Sequence, residues 1–440
     1  VIPAGSEADA SRACCVDVPS GSPFPLHNLP FGVGRRRDES VGAFVAIGDQ
    51  ALDIAAASRF FVGTVAADGL LDDAQTLNQF AALGRGAHRE VRSRVTELLT
   101  DDSIADDLQP CLVPVTDLTM LLPVAVGDYV DFYSSLHHAT NLGRLFRPDG
   151  DPLLPNWRHL PVGYHGRSGT IVADHTTISR PHGLRTCSSA TGTDEHLPVD
   201  GPSEQLDIEL EVGFVVGAPS EATRRVATAV AEEHLFGVCL VNDWSARDIQ
   251  SYEYQPLGPF LGKSFATSMS PWVVTLDALE PFRVDPPTQD PAVSDHLCTS
   301  GPTGFDLHLE VLLQSAAMCD GGIDPVVISA AGFADMYWTP AQQIAHMTSN
   351  GAHLRAGDLF ASGTVSGPDR GSEGSLIELT ARGERPLELP DGTTRSFLED
   401  GDCVTLRGWA GADTATRIGL GSVTGTIAGR PVSHANEEDH

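Results

Sequence analysis

The stretch DIELEVGFVVG, residues 207–217, alternates acidic and apolar side chains: Asp207, Glu209 and Glu211 against Ile208, Leu210, Val212 and Phe214. A period of two belongs to a strand, where successive side chains point to opposite faces. The apolar row predicts a face packed on a core. The acidic row has two readings, a solvent-facing side or a pair of ligands. Glu209 and Glu211 would sit about 6–7 Å apart on one face. At an effective dielectric near 20 they would repel by roughly 2–3 kcal/mol, a cost that a cation between them would remove.

Working outward, TIVADHTTI, FGVCLVND, PWVVTL, FDLHLEVLL and SLIELTAR also read as strands separated by Gly and Pro turns, and VGAFVAIGDQALDI (41–54) reads as short strands of a small barrel. Helical patterning is expected in LDDAQTLNQFAALG and in HREVRSRVTELL, where Val91, Val95, Leu98 and Leu99 line one face. Another helix should start in YWTPAQQIAHMTSNG, with Thr339 as cap, Pro340 in the first turn and Asn350-Gly351 as the stop. Strands this numerous and irregular predict a mainly β fold with some α rather than a doubly wound sheet. Residues 1–20 read as a loose leader, 21–122 as an N-terminal domain, and 123–440 as a second, larger domain.

A formal net charge of −31 excludes a nucleic-acid partner, which needs a basic surface. No window approaches the ~18 apolar residues of a membrane helix. VIPAGSEADASRACC lacks both the basic and the apolar segments of a secretory signal. Eight cysteines with no C-x-x-C pair suit a reducing, cytoplasmic setting. Among 28 basic residues one is lysine, Lys263. It survives either by chance or because a planar, always-charged guanidinium cannot do what a compact ammonium does.

Further acids stand where loops meet strands. Asp243 directly follows the run FGVCLVN, and Asp131 lies in GDYVDFYSS. With Glu209 and Glu211 they would make an all-oxygen site suited to Mg²⁺ or Ca²⁺. His137-His138 follows Ser134 and Ser135, either of which could cap a helix. One of these histidines is a candidate general base, the other reading being a packed or solvated ring. Arg147 could grip an anion. The sequence has no H-E-x-x-H, phosphate-binding P-loop or G-x-S-x-G elbow, and GLGSVTG is one residue too long for a dinucleotide fingerprint.

At this point the chain resembles the fumarylacetoacetase family. The likeness runs in order through SPFPLHNLPFGV, VAIGDQALD, DYVDFYSSLHHATNLGRLFRP, LLPNWRHLPVGYHGRSG, LDIELEVGFVVG, VNDWSARDIQSYEYQPLGPFLGKSFATSMSPWVV, MYWTPAQQIAHMTSNGAHLRAGDLFASGTVSG and LEDGDCVTLRG. It spans essentially residues 22 to 430 and includes the N-terminal domain. The first twenty residues and the acidic tail HANEEDH match nothing.

The resemblance implies an SH3-like small barrel up to about residue 122, then the family's mixed β-roll, paired in a homodimer. It implies a divalent metal, Mg²⁺ and/or Ca²⁺, held by Asp131, Glu209, Glu211 and Asp243, with Lys263 and Thr267 at positions associated with magnesium. His138 would be the catalytic histidine and Glu378 its orienting carboxylate. Lys263, Arg247 and Gln250 would meet developing negative charge, and the Lys263 ammonium could also return a proton to carbon. Tyr133, Arg147, Tyr164, Gln250, Tyr254 and Thr364 would contact substrate, with Arg247 in the same shell. The implied reaction is hydrolysis of the carbon–carbon bond of fumarylacetoacetate, an anionic diketone acid, at the end of tyrosine and phenylalanine breakdown. The alternative is hydrolysis of another β-diketone or acylpyruvate.

Overall fold

A computed structural model describes residues 14–71, 74–186, 198–414 and 416–428. Cys187, the start of the leader (1–13) and the acidic tail lie outside the described residues.

The period-two stretch forms the strand Leu210–Val216, and every residue from Leu206 to Val216 is buried. Neither face is wet. Leu210, Val212 and Phe214 pack into a core shared with Leu309 and Val311 of the strand Leu307–Gln314 and Leu406 of the strand Cys403–Ala410. On the other face Val215 joins Phe31, Phe80, Val91 and Val95 of the N-terminal region. The acids therefore line a protein interior rather than a solvated surface.

Two sheets build this arrangement. The larger runs, edge to edge, through Leu112–Pro114, Gln50–Asp53, Val41–Ile47, Phe31–Arg35, Trp272–Thr275, Leu235–Asp243, Leu210–Val216, Leu359–Ala361, Tyr129–Phe132 and Gly163–His165. The smaller one orders Val326–Gly332, Leu307–Gln314, Cys403–Ala410, Ile418–Ile427 and Thr177–Ile178. The N-terminal strands pair as an antiparallel meander, and its strand Phe31–Arg35 bonds directly to Trp272–Thr275 at Phe31↔Val273. One sheet thus spans both sequence regions.

Helix α1 (Arg85–Leu99) buries Val91, Val95, Leu98 and Leu99, the face that sequence periodicity selects. Helix α2 (Leu136–Phe146) starts at Ser135, whose hydroxyl accepts the His138 N–H at 3.2 Å. Helix α3 (Arg247–Glu253) follows the strand that carries Asp243. Helix α4 (Pro340–Met347) opens with a capping box between Thr339 and Gln342. It ends at Met347, before Asn350-Gly351.

Four expectations are corrected. SLIELTAR is not a strand: Leu376–Leu379 is a short helix, α5. Short buried apolar runs read equally as either state. The helical outcome follows from Asp207, which accepts the N–H groups of Leu376 and Ile377 at 2.7 and 3.1 Å. LDDAQTLNQFAALG forms α-helix only over Asn78–Ala81 among the described residues. TIVADHTTI splits into Ile171–Val172 and Thr177–Ile178, which pair in different sheets. The leader is docked from Cys14 onward, since the Cys15 N–H bonds the Leu99 carbonyl at 2.8 Å and Val16 is buried.

Candidate active site and metal centre

Three strands deliver the four acids. Asp131 comes from Tyr129–Phe132, Glu209 from the residue just before Leu210–Val216, Glu211 from within that strand, and Asp243 from the last position of Leu235–Asp243. Strand pairing at Leu210↔Asn242 and Ala361↔Asp131 brings these ends together. The close approach depends on Gly213, where a Cβ would lie 2.6 Å from Val241 Cγ2. One ligand atom from each acid falls within 4.8 Å of the others, and all four side chains are buried.

Neighbouring cations offset only part of this charge. Lys263 Nζ bonds Asp243 Oδ2 at 2.6 Å and also bonds Glu209. Arg247 Nη1 reaches Glu209 Oε1 at 2.8 Å. Asp243 further accepts from Thr267 Oγ1 at 2.8 Å and from the Tyr164 hydroxyl at 2.9 Å. By contrast, both oxygens of Glu211 and Oδ1 of Asp131 are buried without a hydrogen-bond partner. Leaving such atoms unpaired costs roughly 1–3 kcal/mol or more each.

The electrostatics follow this division. Burial, then the neighbouring acids, push Glu211 well above the usual carboxylate range. Asp131 is raised in the same way, by burial and then by the Asp243 charge. Burial would also raise Glu209, but Lys263 and Arg247 outweigh it and hold that carboxyl far below the ordinary value. Burial disfavours the Lys263 ammonium, yet Asp243 and Glu209 more than restore it, so its proton affinity is above normal. An ammonium has no lone pair for a metal, and Lys263 can support one only through the carboxylates it touches. Four converging carboxylates with three orphaned oxygens fit a hard divalent cation.

A second group lies beside the first. His138 Nδ1 sits 2.7 Å from Glu378 Oε2, with both side chains buried. Glu378 also accepts from Asn141 Nδ2 at 3.0 Å, Ser366 Oγ at 3.0 Å and Ser375 Oγ at 2.6 Å. Burial tends to raise its carboxyl, but His138 and these donors lower it below the ordinary value. The Tyr133 ring meets the His138 ring edge-on, centroids 5.2 Å apart. The two groups are within electrostatic reach, because His138 helps to lower Glu209.

The remaining expected residues divide. Gln250 Oε1 accepts from Arg247 Nη1 at 3.1 Å, and Arg247 Nη2 is buried without a partner. Thr364 Oγ1 is likewise buried and unpaired. It follows Gly363, whose φ of +78° and approach to the Phe132 carbonyl no other residue would accommodate. Arg147 Nη2 bonds the Pro152 carbonyl at 2.7 Å, and its Nε is buried and unpaired. Tyr254 stands apart, exposed, with its hydroxyl taken by Gln255 at 3.0 Å.

A cavity of about 440 Å³ reaches Asp243, Lys263, Thr267 and Tyr164 from outside, with Phe260 and Arg167 also in its wall. Arg167 is exposed and belongs to no ion pair among the described residues. Sequence reasoning passed over it, although it lies in the quoted block VGYHGRSG. Asp207 was also missed: it appeared only as one more acid of the alternating row. Its burial, beside a cation 40 residues away, has no local sequence signal.

Comparison with known proteins bears on the family of the chain. Residues 27–123 match the family described as fumarylacetoacetase N-terminal, and residues 129–428 match fumarylacetoacetate hydrolase C-terminal. The chain is 44% identical to the fumarylacetoacetase of Homo sapiens, covering 94% of this chain and 98% of that one. It is 45% identical to the Caenorhabditis elegans fumarylacetoacetase over the same shares. For the Oryza sativa fumarylacetoacetase the identity is 43%, over 94% and 96%. Among solved structures, a fumarylacetoacetate hydrolase from Exiguobacterium antarcticum superposes with a TM-score of 0.51 at 16% identity, covering 91% of this chain and 100% of that one, which bears on the fold alone. Both family regions, and relatives above 40% identity along nearly the whole length, establish that this chain belongs to the fumarylacetoacetate hydrolase family.

Proposed function

We propose that this protein hydrolyses fumarylacetoacetate to fumarate and acetoacetate. The observation that carries the reading is the buried His138–Glu378 pair beside four convergent carboxylates, in a chain whose relatives are fumarylacetoacetases.

In this reading Asp131, Glu209, Glu211 and Asp243 hold Mg²⁺ or Ca²⁺, with Lys263 and Thr267 fixing Asp243. A cation bound there supplies Lewis-acid polarisation of the diketone oxygens. His138 accepts a proton from water, and Glu378 holds its ring and stabilises the imidazolium. The water oxygen adds to the carbonyl beside the alkene. The bond from that carbon to the diketone methylene then breaks, and its electron pair leaves as the acetoacetate enolate. The Lys263 charge, the unpartnered Arg247 Nη2 and Gln250 stand ready for that enolate, which ends by taking a proton on carbon. Tyr133, Arg147, Tyr164 and Thr364 are assigned to substrate contacts. The exposed position of Tyr254 gives it that role only at the rim.

A homodimer in a reducing, cytoplasmic compartment completes the proposal. Free thiols support the compartment, Cys298 and Cys319 being exposed. Leu257 at 96% exposure, with exposed Leu261 and with Phe260 in the cavity wall, supports a covered apolar surface there. Light scattering should give a dimer that Leu257→Glu weakens; a monomeric parent would refute it. For the substrate, kcat/KM for fumarylacetoacetate should exceed that for acetylpyruvate. The reverse order would assign the protein to acylpyruvates.

A further inference from the structure

Asp207 is fully buried, and its carboxylate is committed to two separate parts of the site. Oδ2 accepts Arg247 Nε–H at 2.8 Å and the Ile377 N–H at 3.1 Å. Oδ1 accepts the Leu376 N–H at 2.7 Å and the N–H of the next residue, Ile208, also at 2.7 Å. Leu376 and Ile377 form the first turn of α5, and the next residue is Glu378. Arg247, gripped at Nε, sets Nη1 on Glu209 and leaves Nη2 buried and free. One carboxylate therefore joins the turn that carries the histidine's partner to the guanidinium beside the metal-ligand candidates.

We propose that Asp207 is a positioning residue for the hydrolysis, setting Glu378 and Arg247 in register with each other. The inference rests on the hydrolase reading above. A fully buried carboxylate is a costly way to join a helical turn to a guanidinium, and three backbone N–H groups plus that guanidinium account for both its oxygens. An apolar replacement would orphan four donors at once. Asparagine keeps one acceptor and turns an NH₂ donor toward a neighbouring donor, so the fold can persist while the register slips. Glu378 then loses its angle on His138, and Arg247 loses the anchor that aims Nη2. Both losses act on the transition state more than on ground-state binding.

The test is Asp207→Asn in the full-length protein with Mg²⁺, alone and combined with Glu378→Gln, using fumarylacetoacetate. The single variant should melt cooperatively, lose about 10- to 100-fold in kcat and keep KM within about 3-fold. In the Glu378→Gln background the same change should cost several-fold less than in the parent, because the share acting through Glu378 is already lost and only the share acting through Arg247 remains. A purely architectural aspartate would instead leave kcat of the folded fraction unchanged, or multiply its loss with that of Glu378→Gln, and either result overturns the inference. Should Asp207→Asn not fold, Asp207→Glu keeps the charge and both acceptors one methylene out of place, and is judged by the same criteria. A parent protein that does not turn over fumarylacetoacetate overturns the hydrolase reading together with this role. An active parent matched by its Asp207→Asn variant overturns this role alone.

Discussion

His138 Nδ1 and Glu378 Oε2 lie 2.7 Å apart, although 240 residues separate them along the chain. The contact joins α2 to α5, and the three further donors to Glu378 leave it few other orientations. Glu378→Gln should lower kcat by roughly 10²- to 10⁴-fold with little change in KM, as loss of a base's orienter does. An unchanged kcat would remove Glu378 from the mechanism.

The same carboxyl makes a prediction about pH and stability. Its folded-state value lies below the ordinary 4.5. Its contribution is therefore fully present above pH 4.5 and is lost as pH falls through the lower folded value. Urea midpoints of the parent and Glu378→Gln should differ by a constant amount from pH 6 to 8 and converge below the ordinary carboxylate value. A gap that widens with acid would reverse the sign and contradict the assignment.

Lys263→Arg preserves charge but replaces a compact ammonium wedged between Glu209 and Asp243 with a planar fork. Turnover should fall at least ~100-fold while the melting curve stays cooperative. Near-normal turnover would show that any cation suffices at this position.

Glu211 offers a test that does not depend on activity. Both its oxygens are buried and unpaired, and burial raises its carboxyl. Glu211→Gln removes a like charge from the cluster, so in EDTA the variant should melt no lower than the parent. Mg²⁺ or Ca²⁺ at a hundredfold above Kd should stabilise the parent by about 2.7 kcal/mol and the variant far less. Equal stabilisation of both would place the metal elsewhere.

A net charge of −31 repels a dianionic substrate, and Arg167 on the cavity wall belongs to no ion pair among the described residues. Apparent KM should fall as salt rises modestly, because screening relieves the long-range repulsion. Arg167→Gln should raise KM about 3- to 10-fold at low salt, leave kcat within about 2-fold, and matter less as salt increases. A KM that only climbs with salt, or a salt-independent effect of the variant, would contradict this account.

How much of this the sequence discloses depends on whether a feature is local. Alternation in 207–217 marks a strand, and the α1 face and the Thr339 cap follow from periodicity and spacing. Glu209 and Glu211 share a face because of backbone geometry, so their pairing is legible. Whether that face is wet is not, since it depends on the N-terminal region packing over it. The helical state of Leu376–Leu379 is set by Asp207, far away in sequence, and no window around residue 378 contains that cause. For the same reason, Arg167 and Asp207 acquire their meaning only from neighbours brought in by the fold.

The most direct test is hydrolysis of fumarylacetoacetate by the purified protein, followed by loss of its absorbance with Mg²⁺ and again after EDTA. The account predicts rapid loss with equimolar fumarate and acetoacetate, abolished by EDTA and in His138→Asn. A folded, metal-loaded protein that leaves fumarylacetoacetate intact would contradict it.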